Sequence, residues 1–206
     1  MNTPEIPRYA VIDMGTNTFH LLIAELAPDG FKVLHKEKVG VKLGKGSINQ
    51  GFLSDDAIER GLDCLQSFAN TAVSFGIAAK DIIATATSAV RSANNGQFFV
   101  EQVLAKTEIK VQVIDGAKEA QLIFEGVTAA LGKQSAASLI MDIGGGSVEF
   151  IIGNKEQYYW KQSFEVGAIR LHEKFKKHDP ILSEEISEIN LYLSEKLKPL
   201  FDQIKL

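Results

Sequence analysis

The sequence predicts an α/β protein of two related lobes, each following the order βββαβαβα around a mixed sheet, with the second lobe incomplete in this chain. Three observations carry this. A segment near the start recurs further along at a constant offset; each copy reads as strand, tight turn, strand; and each is followed by a third strand and then an amphipathic helix. Setting residues 9–26 (YAVIDMGTNTFHLLIAEL) against residues 138–155 (SLIMDIGGGSVEFIIGNK) puts Asp13 on Asp142, Gly15 on Gly144, Thr18 on Ser147 and Leu21-Leu22-Ile23 on Phe150-Ile151-Ile152, an offset of 129. Val39-Gly40 then answers Val166-Gly167 at 127, and Ser54 answers Ser183 at 129 again.

In the first copy an apolar run ends at Asp13, a turn of Gly, Thr and Asn follows, and a second apolar run returns. A third strand is expected over 32–41. The helix after it begins at Ser54, a good N-cap, with Asp55 and Asp56 at its positive end; Ile58, Leu62, Leu65, Ala69 and Val73 form its stripe and Gly76 closes it. A strand over 82–87, a helix near 97–105, a strand over 110–114 and a long helix over 117–131 complete the lobe. The second copy offers a third strand over 158–166, a short lysine-rich helix from Ala168 to Lys177, and a helix over 183–204 with Ile186, Ile189, Leu193, Leu197, Leu200 and Ile204 inward. The division expected is 1–131 for the first lobe and 132–206 for the start of the second. About 75 residues of the first copy have no counterpart in the second, so the chain reads as the amino-terminal portion of something longer, or as a short form completed otherwise.

Composition excludes several classes. With 45% apolar and 23% charged residues, 206 residues suffice to bury about two thirds of the unfolded surface, which rules out a disordered polymer. One cysteine, Cys64, rules out an internal disulfide. A net charge of −4 argues against nucleic acid as the main partner. No uncharged apolar run approaches the roughly 20 residues of a membrane span, and the first residues lack the pattern of a secretory leader, so the cytoplasm is the expected compartment.

Two such lobes should leave a cleft faced by both turns. Gly15-Thr16-Asn17-Thr18 and Gly144-Gly145-Gly146-Ser147 combine glycines that let the main chain approach a ligand with hydroxyls that donate to it, the makings of a paired phosphate site. Other phosphate motifs fail on spacing: Gly40 to Lys45 and Gly126 to Lys133 do not place four residues before a Gly-Lys-Ser/Thr ending, and the glycines at 144–146 run into a strand. Asp13 and Asp142 stand where strand meets turn. Carboxylate beside phosphate is unfavourable without a cation between, which implies Mg²⁺ or another divalent ion. His20, His35, His172 and His178 show no metal-ligand spacing with Cys64. Glu149 falls beside the second turn. Glu119 lies in the first turn of the long helix, where it could orient water or serve as an ordinary capping-box residue. Arg91, in a loop after the strand over 82–87, could grip a phosphate.

These residues sit in four motifs: DMGTNTFH at 13–20, TSAVR at 87–91, GAKEA at 116–120 and DIGGGSVE at 142–149. In that order they closely resemble the exopolyphosphatase and guanosine pentaphosphate phosphohydrolase family, which belongs with acetate and sugar kinases, actin and the heat-shock chaperone ATPases. The resemblance covers essentially the whole chain and implies ribonuclease H-like lobes of the actin-type ATPase kind. It implies phosphate loops at the two turns, a water-activating carboxylate at Glu119, a catalytic or metal-associated carboxylate at Glu149, a phosphate-binding Arg91 and a basic residue at Lys42. The activity implied is Mg²⁺-assisted release of terminal orthophosphate from inorganic polyphosphate, with conversion of guanosine pentaphosphate to tetraphosphate as a second reaction. A later glycine-rich loop usual in the family is absent after Gly167. A phosphotransferase acting on acetate or a sugar, and a non-catalytic sensor of polyphosphate or a guanosine alarmone, stay open as alternatives. Neither nucleic acid nor membrane is an expected partner, and any assembly is expected to be a homodimer through the second lobe or the segment it lacks.

Overall fold

A computed structural model describes residues 6–28, 30–131 and 136–205. The chain divides between Val113 and Ile114 into two units, each treated separately below. The boundary that the sequence suggests, between 131 and 132, adjoins residues 132–135, which lie outside the described residues.

In the first unit, β1 (Arg8–Met14), β2 (Phe19–Ala27) and β3 (Gly30–Val39) form an antiparallel meander. Helix α1 (Asp55–Ser74) leads to β4 (Ile83–Ala86), then α2 (Ser88–Ser92), α3 (Gly96–Thr107) and β5 (Val111–Val113). The sheet order is β3-β2-β1-β4-β5, with β4 parallel to β1 and β5 parallel to β4. This is the mixed, ribonuclease H-like sheet that the sequence predicts, with α2 as an addition. The strand alternation turns Ala10, Ile12, Met14, Phe19, Leu21 and Ile23 to one face, where they form a core with Leu65 and Phe68 of α1 and with Phe99 and Val103 of α3. Gly61 lets α1 and α3 touch, since a Cβ there would stand 2.9 Å from the Phe99 ring.

The α1 stripe includes Ile58, Leu65 and Ala69 as expected, with Leu62 packed beside them, but is wider than expected and ends before Val73. Val73 is 57% exposed, while Gly61, Cys64, Phe68 and Ala72 are buried. The Ser54 hydroxyl donates to the Asp56 carboxylate at 2.6 Å instead of accepting from a helix amide. Burial pushes the Cys64 thiol up to about 12, helped by the Glu37 carboxylate, so this cysteine is a core residue and no nucleophile.

In the second unit, α4 (Gly116–Leu131) precedes an antiparallel sheet of β6 (Ser138–Ile143), β7 (Val148–Gly153) and β8 (Tyr158–Phe164), in that order across the sheet. Helices α5 (Ala168–Phe175), α6 (Ser183–Lys196) and α7 (Lys198–Ile204) follow. Val148 and Phe150 turn to one face and pack with Phe164, Val166 and Leu200. Helix α4 packs on the other face, with Phe124 edge-on to Tyr158 at 5.7 Å. This packing assigns α4 to the second unit, whereas its position in the repeat suggests the end of the first. The single helix expected over 183–204 is two helices, because Pro199 has no amide to donate and so occupies a first turn. Ile186 and Ile204, expected inward, are 45% and 54% exposed. No helix among the described residues is long and apolar enough to cross a membrane.

The duplication holds residue by residue through the first two strands of each sheet. Asp13 faces His20 across β1 and β2, and Asp142 faces Glu149 across β6 and β7, at the same offset of 129. Bulges fall between Ile23 and Ala24 and between Ile152 and Gly153, again at 129. The hairpin that follows is shorter in the second unit, and the offset then drops. Val39 stands opposite Phe19 as Phe164 stands opposite Val148, so Val39 answers Phe164 and Val41 answers Val166, at 125. The pairing of Val39-Gly40 with Val166-Gly167 at 127 is therefore corrected by two residues.

Candidate functional site

Each D-x-G turn closes with the same bond. The Gly15 amide donates to the Thr18 carbonyl at 3.1 Å, and the Gly144 amide to the Ser147 carbonyl at 3.0 Å. A Cβ at either glycine would meet that carbonyl at 3.0 Å, which is why glycine stands there.

The second turn rests its carbonyl side on the start of α5. The Gly144 carbonyl accepts from Ala168 at 3.0 Å, that of Gly145 from Ile169 at 2.8 Å, and that of Gly146 from Gly167 at 3.0 Å. These are the amides that a helix N-terminus leaves without partners in its own ladder. A trans peptide directs C=O and N–H to opposite sides. The amides of Gly145, Gly146 and Ser147 therefore point away from α5, three successive donors on the side opposite the helix, an arrangement suited to an anion. Contact is close: a Cβ on Gly167 would stand 2.5 Å from Gly145 and Gly146 backbone atoms.

The first turn is built alike with different material. The Asn17 carbonyl accepts from Lys42 at 2.8 Å and that of Thr16 from Gly44 at 3.0 Å, which turns the Thr18 and Asn17 amides outward. Here a loop replaces the helix. Lys42 has φ +55°, a left-handed conformation that side chains rarely take. Arg60 of α1 holds this loop, donating from Nε to the Val41 carbonyl at 2.9 Å and from Nη2 to that of Lys42 at 3.3 Å. The Thr87 amide donates to the Met14 carbonyl at 3.3 Å, which brings the start of α2 beside this turn. Arg91 thus lies on a short helix, one turn from Thr87, and not in the loop expected.

Asp13 and Asp142 are exposed at the turn edges. Their cross-strand partners differ. His20 is half-buried, with Nε2 at 3.1 Å from the Thr18 hydroxyl. Glu149 is 2% exposed and its Oε1 accepts from the Ser163 hydroxyl at 2.6 Å. Ser163 in turn touches the first residue of α4, where a Cβ on Gly116 would stand 2.4 Å from Ser163 Cβ. The segment that carries Glu119 is so packed beside Glu149. Asp115 caps α4, its Oδ1 accepting from the Lys118 amide at 2.7 Å. Glu119 is therefore the fourth helical residue and not the third, and the capping-box reading of it is excluded.

Sequence reasoning missed Ser163, Arg60 and Arg170. Ser163 carries no motif and is found only by the register that sets it opposite Glu149. Arg170, just after Gly167, was available as an arginine in the first turn of a helix. Its Nε donates to the Gly146 carbonyl at 3.1 Å. Among the described residues no group of three or more His, Cys, Asp or Glu side chains converges as a metal cage.

Residues 22–206 match the model of the Ppx/GppA phosphatase family. The chain is 36% identical to a bifunctional 3-dehydroquinate synthase/phosphatase of Fusobacterium nucleatum, over 96% of this chain and 31% of that protein. It is 32% identical to a guanosine-5'-triphosphate,3'-diphosphate pyrophosphatase of Photobacterium profundum, over 97% of this chain and 40% of that protein. The crystal structure of an exopolyphosphatase from Cytophaga hutchinsonii superposes with a TM-score of 0.93 at 47% identity, over 97% of this chain and 63% of that one. The chain thus spans less than half the length of the two curated relatives. The motifs, the fold and the matched length together place this chain in the Ppx/GppA phosphatase family.

Proposed function

We propose that the natural polypeptide carrying this sequence hydrolyses phosphoric anhydrides, releasing terminal orthophosphate from linear polyphosphate, and that it converts guanosine pentaphosphate to tetraphosphate by the same chemistry. The observation that carries this is the pair of turns whose carbonyls are occupied on one side while successive amides face the other. Relatives named as an exopolyphosphatase and as a guanosine-5'-triphosphate,3'-diphosphate pyrophosphatase support both substrates. The amides of Asn17 and Thr18, those of Gly145, Gly146 and Ser147, and the Arg91 guanidinium would hold nonbridging oxygens. Glu119 would orient a water and take its proton as the water oxygen bonds to the terminal phosphorus; the bridging P–O bond breaks and the shortened chain leaves with that electron pair.

Asp142 and Glu149, cross-strand neighbours, offer oxygen donors of the kind Mg²⁺ takes when it binds through one or two carboxylates plus substrate phosphates, and Asp13 offers one more in the first unit. When bound, the ion offsets negative charge on the phosphates. The proposed compartment is the cytoplasm, where polyphosphate and alarmones would be met.

The test is Glu119→Gln, assayed for orthophosphate release from linear polyphosphate and from guanosine pentaphosphate. A loss of about a hundredfold or more is expected on both, the usual contribution of a general base. Activity within about tenfold of the parent would remove Glu119 from that role.

A further inference from the structure

We infer that Arg170 is the positioning residue of the second turn, fixing the Gly146–Ser147 peptide with its N–H towards a phosphate oxygen. The inference rests on the phosphate reading of that turn and adds to it the side chain that shapes it. A run of three glycines is soft, and fixing it in one conformation costs more backbone entropy than fixing residues with side chains. Arg170 supplies a rigid constraint. Its side chain is only 12% exposed, its Nη2 is held by Glu165 at 2.7 Å, and its Nε donates at 3.1 Å to the Gly146 carbonyl, which also accepts from the Gly167 amide. That carbonyl and the Ser147 N–H belong to one peptide group. A cationic donor on the oxygen polarises the group and makes its N–H a stronger donor on the far side. The planar fork serves Glu165 and Gly146 at once, which the single ammonium of lysine does only poorly. In the first unit the corresponding Asn17 carbonyl accepts from a backbone amide, and Arg60 acts one residue further back, on Val41 and Lys42.

The test follows backbone amide resonances of the 206-residue chain during titration with inorganic tripolyphosphate, for the parent, Arg170→Ala and Arg170→Lys. In the parent the amides of Gly145, Gly146 and Ser147 are expected to shift. Arg170→Ala should weaken binding about tenfold, the scale of one charge-assisted hydrogen bond, with Arg170→Lys between the two. In the free Arg170→Ala chain the Ser147 amide should already move and exchange faster with water, while the Asn17 and Thr18 amides keep their parental positions. Binding within twofold of the parent, with an unchanged Ser147 amide, would overturn the role of Arg170 and leave the phosphate reading standing. Absence of any shift at 145–147 in the parent would overturn the phosphate reading itself, and the positioning role with it. If Arg170→Ala does not fold, Arg170→Lys decides by the same criteria, since it keeps the charge and loses the fork.

Discussion

The two D-x-G turns share one backbone bond and one strand register, yet one leans on a helix and the other on a loop. Behind the glycines at 144–146 stands α5, whose first amides cap the turn carbonyls. Behind Thr16 and Asn17 stands a loop held at Lys42 in a strained conformation and tied back by Arg60. The cross-strand partner differs too: a buried Glu149 bonded to Ser163 in one, a half-buried His20 bonded to Thr18 in the other. The lesson is that duplication preserves what the backbone dictates, while the side chains around it diverge in role. By this comparison the second turn sits beside a buried carboxylate and the first beside a half-buried imidazole, and we propose that the chemistry belongs to the second and that the first serves to hold.

The comparison breaks most easily at Gly167. Any side chain there collides with the peptide backbone of Gly145 and Gly146, so Gly167→Ala should destabilise the second unit by about 3 kcal/mol, at the upper end of overpacking effects. The check is amide exchange, which should rise in β7 and α5 while β1 and β2 stay protected. Equal exchange in both units would show that the helix is not what holds the turn.

Next in size is the paired substitution Glu149→Gln and His20→Gln. If the two units have divided the work, Glu149→Gln should lower the rate of orthophosphate release on the order of a hundredfold and His20→Gln by less than about tenfold, the latter mostly in KM. Similar losses in kcat for both would restore the symmetry.

Acid sharpens the contrast. Glu185 is held down to about 2 by the amide of Leu182, then that of Lys177, and by His178, against the cost of its burial. Its folded value lies below its ordinary one near 4.5, so the stability it adds is present above about pH 4.5 and is lost as pH falls towards 2. Melting followed from pH 6 to pH 2.5 should show a loss that Glu185→Gln abolishes, centred on the link between α5 and α6. In the first unit Asp56 is also lowered, by the Ser54 hydroxyl first and then Arg60, but from an exposed position, so α1 should respond less. The smallest effect belongs to Lys42→Gly, which relieves a left-handed conformation and should leave thermal stability within about 1 kcal/mol of the parent, while weakening tripolyphosphate binding at the first turn.

Much of this was legible in the sequence. The strand–turn–strand pattern, the three-strand meanders, the helices and the two glycine turns all follow from periodicity and turn chemistry. The same reading missed where α4 belongs, because an amphipathic stripe does not say which sheet it will cover. It set Val39 against Val166, because matching the Val-Gly pairs allowed for a hairpin shortened by two residues where the strand register shows four. It placed Val73 inward, because a helical stripe does not show where the neighbouring sheet ends, and it left a capping box open for Glu119, because the helix start is uncertain by one residue until the cap is known to be Asp115.

By itself the sequence determined the duplication, the element order and the residues at both turns, since these depend on local periods and on backbone freedoms that glycine alone provides. Only the tertiary structure decided which side of each turn is occupied. It bonded Arg170 to Gly146 and Ser163 to Glu149, and it buried Glu149 while leaving Asp142 exposed. Those outcomes depend on hydrogen bonds and contacts between segments far apart in the chain, and no local pattern carries their geometry.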